Sequence, residues 1–249
     1  MSVGADRMGL VTRPVAAVTV DLDDTLYPQE QYLAGAWSAV AQAGAEAGLD
    51  RGALEATLVA VCAEGSDRGR IIDRALERLD APTGLVPPLV QAFKSFVPGR
   101  LDCYPGARQG LARLRRIVPV ACITDGDPDV QWAKLMALGL VGAFDAVVIS
   151  DVIGREFRKP SPVPFRLALD LLQVPADLAV HVGDRPAKDV AGAHGAGMRS
   201  ILVRQGEYAS QAWPPLGPAP VAAVHDVGEA FGLIEDIVLA DGPRSPALA

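Results

Sequence analysis

Asp21-Leu22-Asp23-Asp24-Thr25 sets two carboxylates two residues apart, directly after the apolar run 15–20. Two acids at that spacing offer a division of labour: one attacks or holds a metal while the other handles a proton, which requires unlike environments. A strand followed by an Asp-rich turn or helix cap is the competing explanation for this motif alone. Three further clusters weigh against it. Thr124-Asp125-Gly126-Asp127 adds a hydroxyl and a glycine that lets the main chain approach a ligand closely. Arg158-Lys159-Pro160-Ser161-Pro162 adds a cation, and Gly183-Asp184 with Asp189 adds a second acid pair. Hydroxyl, cation and four acids together suit an anionic ligand held with a hard metal ion.

Each cluster follows an apolar run of strand length: 15–20, 117–123, 146–150 and 178–182. Such runs, alternating with helical patterns, predict a parallel, doubly wound (Rossmann-like) α/β sheet, whose ligands bind beyond the carboxyl ends of the strands. Late strands are expected at 199–203 and 221–224. Residues 29–100 interrupt this alternation with four helical stretches, 29–47, 53–63, 70–79 and 89–96, the last bounded by Pro87-Pro88. The expected organisation is a core of 1–28 and 101–249 with a helical cap at 29–100, a proline-rich loop at 211–220 and a frayed tail at 242–249. Ser161-Pro162 reads as N-cap and first helical position, with Lys159 just ahead of a helix N-terminus. Asp127-Pro128 reads likewise, and Asp24 as a cap of the turn after the first strand.

In this order the four clusters resemble the motifs of the haloacid dehalogenase superfamily, over roughly residues 14–236. The resemblance implies a magnesium-dependent phosphohydrolase for a small phosphomonoester, because Asp23 is what the family's phosphatases carry and its dehalogenases lack. It also implies an aspartyl phosphate on Asp21, Mg²⁺ held by Asp21, Asp184 and the main-chain carbonyl of Asp23, and phosphate contacts from Thr124, Asp125, Gly126 and Lys159. Asp23 is then the general acid and base. Its free pKa of about 3.9 is expected to rise beside Asp21 and Asp24. Asp189 is expected to orient Lys159 or a metal-bound water. At Asp125 family members often have asparagine; an acid there would repel phosphate, so its side chain is expected to point away.

Composition agrees with an ordinary globular enzyme. Hydrophobic residues make up 50% and charged residues 21%, and the net charge of −7 excludes a general binder of nucleic acid or anionic membrane. No apolar run is long enough to span a bilayer, and residues 1–14 lack a signal-peptide core, which gives the expectation of a cytoplasmic protein. Cys62, Cys103 and Cys122 lack zinc spacing and read as buried free thiols, and His181 as a core histidine.

Arg70, Arg74 and Arg78 form a stripe interleaved with Asp73 and Glu77, either an ion-paired solvated face or a receiver for an anionic substrate tail. Tyr27, Tyr32 and Trp37, near the first motif, read as core packing, with stacking on a substrate ring as the alternative. A phosphomutase and a noncatalytic phosphate-binding protein are the alternatives to a phosphatase. A phosphonate hydrolase would need a Schiff-base lysine in the cap, where Lys94 stands alone. The partner is a small phosphorylated metabolite; the oligomeric state, monomer or homodimer, has no signature in the sequence.

Overall fold

The computed structural model describes residues 14–65, 68–210 and 217–240. The expected tail at 242–249, most of the N-terminal segment and the first part of the proline-rich loop lie outside them.

Six parallel strands form one sheet: β1 (Ala17–Val20), β2 (Val120–Thr124), β3 (Ala146–Ile149), β4 (Ala179–Gly183), β5 (Arg199–Val203) and β6 (Ala222–Val224). Their spatial order is β3-β2-β1-β4-β5-β6, which reverses direction between β1 and β4 and opens a crevice there. Register aligns Val18 with Val120 and with Val180, so the ends of β1, β2 and β4 come level. The central strands are buried on both faces and hence are near-continuous Val, Ile and Ala.

One face packs Val18, Val20, Val180, Val182 and Ile201 against α5 (Ala107–Leu114) and α10 (Val227–Ala240), through Leu111, Phe231 and Ile234. The other packs Ala17, Ala121, Ile123 and Ala179 against Phe165 and Leu169 of α8 (Val163–Leu172) and Ala193 of α9 (Ala191–Gly195). Between these, α6 (Pro128–Ala137) follows β2, and the short α7 (Ser150–Ile153) follows β3. The helix after Lys159 starts at Val163, one residue later than expected. Ser161 Oγ still accepts from the Val163 N–H at 3.4 Å.

The insert supplies α1 (Glu30–Glu46), α2 (Arg51–Cys62), α3 (Ile71–Arg78) and α4 (Val86–Ser95). Helix α4 begins ahead of Pro87-Pro88, since proline is tolerated in a first turn where the N–H groups have no helical acceptor. These four helices bury a cluster of their own, with Trp37, Val40, Leu54, Leu58, Ile72, Leu76 and Leu89. Leu33 and Phe93 touch both this cluster and the sheet's. Gly44 permits the close approach of α1 and α2, because a Cβ there would lie 2.3 Å from Leu54 Cδ2. Among the described residues no helix is long and apolar enough to cross a membrane. Cys122 is buried, but Cys62 and Cys103 are only half-buried, contrary to expectation; all three are free thiols.

Candidate active site

Strand β1 delivers Asp21 to the crevice, where its N–H donates to Val182 O at 2.9 Å and prolongs the pairing with β4. The buried Asp21 carboxylate accepts from Lys159 Nζ on Oδ1 and from Thr25 Oγ1 at 3.1 Å on Oδ2. Burial raises its pKa to about 7; Lys159 pulls it down, and Asp189 and Asp23 push it up. Asp24 takes a left-handed φ of 58°. Its oxygens accept from the N–H groups of Gln29 at 2.9 Å and Glu207 at 3.3 Å, so it closes the turn after β1.

Thr124 is the last residue of β2 and its hydroxyl accepts from Gln131 Nε2. Gly126 has φ 133°, a conformation L side chains rarely adopt. Asp127 caps α6 through the Asp129 N–H and pairs with Lys94 of α4 at 2.7 Å. The Asp125 side chain is directed at the loop after β3, where Oδ1 accepts from Ser150 Oγ at 2.8 Å and from the Lys159 N–H at 3.1 Å. It thus fixes the backbone that carries Lys159.

Lys159 is buried between two acids. Its ammonium donates to Asp21 and to Asp189 Oδ1 at 2.7 Å, and these two charges outweigh burial and raise its pKa. Asp189 lies on a π-helical turn, Pro186–Val190, and its Oδ2 accepts from the Arg185 N–H at 2.9 Å. Although burial opposes it, Lys159 and His181 hold the Asp189 carboxyl below the usual range. An anionic Asp189 makes His181 Nε2 the donor at 3.2 Å, and leaves Nδ1 to accept from Thr19 Oγ1 at 2.8 Å. Burial keeps this imidazole neutral by lowering its pKa. Gly183 makes room for the turn, since a Cβ there would stand 2.4 Å from Asp189 Cγ.

Asp184 follows β4. Its Oδ1 accepts from Thr25 at 3.3 Å, while Oδ2 is buried without a hydrogen-bond partner, the Arg185 guanidinium being 3.9 Å away. Burial, with Asp189 and Asp21 nearby, raises its pKa well above the ordinary value. Oxygens of Asp21, Asp184 and Asp189 lie within 4.8 Å of one another. An orphaned carboxylate oxygen among hard oxygen donors fits a divalent cation.

Asp23 corrects the sequence-based expectation. Its pKa is lowered, not raised: burial pushes it up, but Lys134 and hydrogen bonds from Lys134, Tyr27 and Gln131 prevail. The acids beside it in sequence are outweighed by donors beside it in space. Lys134, Gln131, Thr25 and His181 were not read as site residues. A lysine and a glutamine one turn apart on the helix after the second motif were the available signal.

Cap and core together enclose a cavity of about 730 Å³. Asp21, Asp23, Thr124 and Lys159 line its floor, and Trp37, Arg70, Phe93 and Lys94 its cap side. Of the arginine stripe, Arg70 pairs with Asp73 and Glu77, and Arg74 and Arg78 converge on Glu64.

A family described as haloacid dehalogenase-like hydrolase matches residues 15–197. A glyceraldehyde 3-phosphate phosphatase of Methanopyrus kandleri is 38% identical over 202 residues, 78% of this chain and 86% of that protein. A phosphoserine phosphatase of Thermus thermophilus is 38% identical over 143 residues, 57% of this chain and 56% of that one. Among solved structures, a 2-haloacid dehalogenase from Pseudomonas syringae pv. Tomato superposes with a TM-score of 0.62 at 27% identity, covering 89% of this chain and 99% of its own. The HAD-hydrolase YfnB of Bacillus subtilis, bound to magnesium, shares the fold with a TM-score of 0.70 at 16% identity and the same coverage.

Proposed function

The chain belongs to the haloacid dehalogenase-like hydrolases, and on that premise we propose that it is a magnesium-dependent phosphatase of small phosphomonoesters. The observation that carries this reading is the Lys159 ammonium set between Asp21 and Asp189, beside the Asp184 oxygen that accepts no hydrogen bond. A nucleophilic carboxylate, a fixed cation and a vacant oxygen ligand meet at one point. The two phosphatases at 38% identity support the same activity.

Asp21 attacks phosphorus and carries the phosphoryl group as an aspartyl phosphate. Lys159, Thr124 and the main chain at Asp125 and Gly126 receive the phosphoryl oxygens. Asp189 holds Lys159 from behind. Asp23, on the same cavity wall and held as the anion by Lys134, Tyr27 and Gln131, takes a proton from the hydrolytic water, and that proton goes to the leaving oxygen of the next turnover. Asp21, Asp184 and the main-chain carbonyl of Asp23 would hold Mg²⁺. When bound, it supplies positive charge against the phosphoryl oxygens and keeps Asp21 ionised.

Among the described residues, 29–100 act as the cap domain over a core of 14–28 and 101–240. A cavity of about 730 Å³ has the size of a small-molecule site and not of a surface for a folded phosphoprotein. The test is phosphate release from p-nitrophenyl phosphate and from a panel of phosphorylated metabolites, with magnesium and with EDTA. Magnesium-dependent turnover confined to small esters is expected. Equal turnover of phosphoproteins, or full activity in EDTA, contradicts the reading.

A further inference from the structure

The loop that follows β3 brings two arginines to the cavity, and their surroundings differ. Arg158 Nε and Nη2 donate to Asp151 Oδ1 and Oδ2, each at 2.5 Å, so this guanidinium and this carboxylate are matched one to one. Arg155 stands 4.0 Å from the same carboxylate, and among the described residues that is its one ion pair. Glu156, the next residue, folds its carboxylate back over Gly154, where a Cβ would meet its oxygens at 2.8 Å. The Arg155 side chain is left 79% exposed, and it lines the cavity.

Exposure alone would make Arg155 a solvated surface residue; its place in the loop argues otherwise. Asp125 Oδ1 accepts from Ser150 Oγ at 2.8 Å and from the Lys159 N–H at 3.1 Å, which clasps residues 150–159 at both ends. The Asp151–Arg158 pair closes the loop a second time, and Arg155 opens the 3₁₀ turn, Arg155–Phe157, at its tip. One clasped segment therefore carries both the Lys159 ammonium at the floor and the Arg155 guanidinium at the mouth. Other cations of the lining have acids of their own: Arg70 has Asp73 and Glu77, Lys94 has Asp127, and Lys159 has Asp21 and Asp189. Cations outnumber acids along this lining although the chain as a whole carries a charge of −7. A cleft of one sign of charge concentrates ligands of the other.

We infer that Arg155 is a specificity-determining residue, which receives a second anionic group, a carboxylate or a phosphate, carried by the leaving part of the substrate. This rests on the phosphatase reading and deepens it. The phosphoryl group to be cleaved sits at the floor beside Lys159, and the second anion sits at the mouth. A guanidinium offers paired N–H donors that match either anion. No bond forms or breaks at Arg155, so its contribution is to binding and is read in KM more than in kcat.

The test is steady-state kinetics of the magnesium-loaded wild type, Arg155→Ala and Arg155→Lys on two matched pairs of esters, with p-nitrophenyl phosphate as the reference. In the first pair, 3-phosphoglycerate against glycerol 3-phosphate, a carboxylate replaces a hydroxymethyl group; in the second, fructose 1,6-bisphosphate against fructose 6-phosphate, a phosphate is added. The wild type is expected to prefer the doubly anionic member of at least one pair by about tenfold or more in kcat/KM, and the pair that responds tells carboxylate from phosphate. In Arg155→Ala that preference should fall about tenfold through KM, with kcat changed less than about twofold, while Arg155→Lys keeps part of it. Because the side chain is exposed, both variants should keep the wild-type Tm, so that a kinetic loss reports binding. A wild type that turns over p-nitrophenyl phosphate but prefers neither doubly anionic ester overturns the inference alone. So does an Arg155→Ala loss that is equal on both members of a pair or confined to kcat. A wild type that hydrolyses no ester overturns the phosphatase reading and this inference with it.

Discussion

Lys159 Nζ stands 2.7 Å from Asp189 Oδ1, both side chains are almost wholly buried, and the same ammonium also reaches Asp21. Asp189 therefore shares the cation with the nucleophile, and its own place is fixed by His181 and the Arg185 N–H. Removing one partner of a buried pair costs about 3–5 kcal/mol. Asp189→Asn should lower stability by about 3 kcal/mol in urea unfolding and reduce kcat, because Lys159 then leans on Asp21 alone. An unchanged unfolding midpoint would show that Asp189 is not the counter-charge described.

Asp184→Asn should separate metal binding from folding. Its carboxylate oxygen is buried without a hydrogen-bond partner beside Asp21 and Asp189, so the metal-free protein should lose no thermal stability when that charge is removed. The stabilisation by magnesium, about 2.7 kcal/mol at a hundredfold excess over Kd, should vanish. A variant whose Tm still rises with magnesium as in the wild type would place the cation elsewhere.

The pH dependence follows from opposed shifts. Asp21 is raised from 3.8 to about 7 and Asp184 is raised well above 3.8, so the folded protein binds protons that the unfolded chain has released. Metal-free stability must fall as pH climbs through that window. Asp23 and Asp189, both lowered, add stability that is lost only as pH drops below about 4. His181, held neutral by burial, favours the folded state as pH rises to about 6.5 and changes nothing above it. In EDTA the Tm should therefore fall between pH 6.5 and 8. The magnesium-induced rise should be larger at pH 8 than at pH 6, where protons compete for Asp21 and Asp184. A larger rise at pH 6 would refute the assignment.

Arg70 and Arg74 should now behave differently. Arg70 lines the cavity and is well exposed, whereas Arg74 is outside that lining and binds Glu64 within the cap. Arg70→Ala should raise KM several-fold for an ester with a second anionic group, and little for p-nitrophenyl phosphate. Arg74→Ala should leave both KM values unchanged and shift the unfolding midpoint little, because the pair it breaks is exposed to solvent. Equal KM effects from the two substitutions would mean that the stripe faces the substrate as a unit.

How far the sequence reached is seen best in Asp21 and Asp23. The apolar run before Asp21 announced a buried parallel strand, and the sheet order then brought Thr124, Lys159, Asp184 and Asp189 to the same crevice. Spacing along the chain was enough for that, because strand ends converge by topology. The state of Asp23 was not legible. Its sequence neighbours are acids, but its nearest charge is Lys134, 111 residues away, and only the rotation of α6 turns Lys134 and Gln131 toward it. The His181–Thr19 contact spans 162 residues and depends on the β1–β4 register. The later start of the helix after Lys159 was a one-residue matter of capping.

The central claim is that Asp21 carries the phosphoryl group, and acid-quenched intact-mass analysis with peptide mapping tests it most directly. Asp23→Asn, incubated with magnesium and p-nitrophenyl phosphate, should accumulate a phosphoryl adduct on the peptide containing Asp21, since a good leaving group needs no proton but hydrolysis of the intermediate needs the base. Asp21→Asn should fold, form no adduct and show no turnover. A folded Asp21→Asn protein that still releases phosphate at a near-wild-type rate, or an adduct on another residue, would contradict the account.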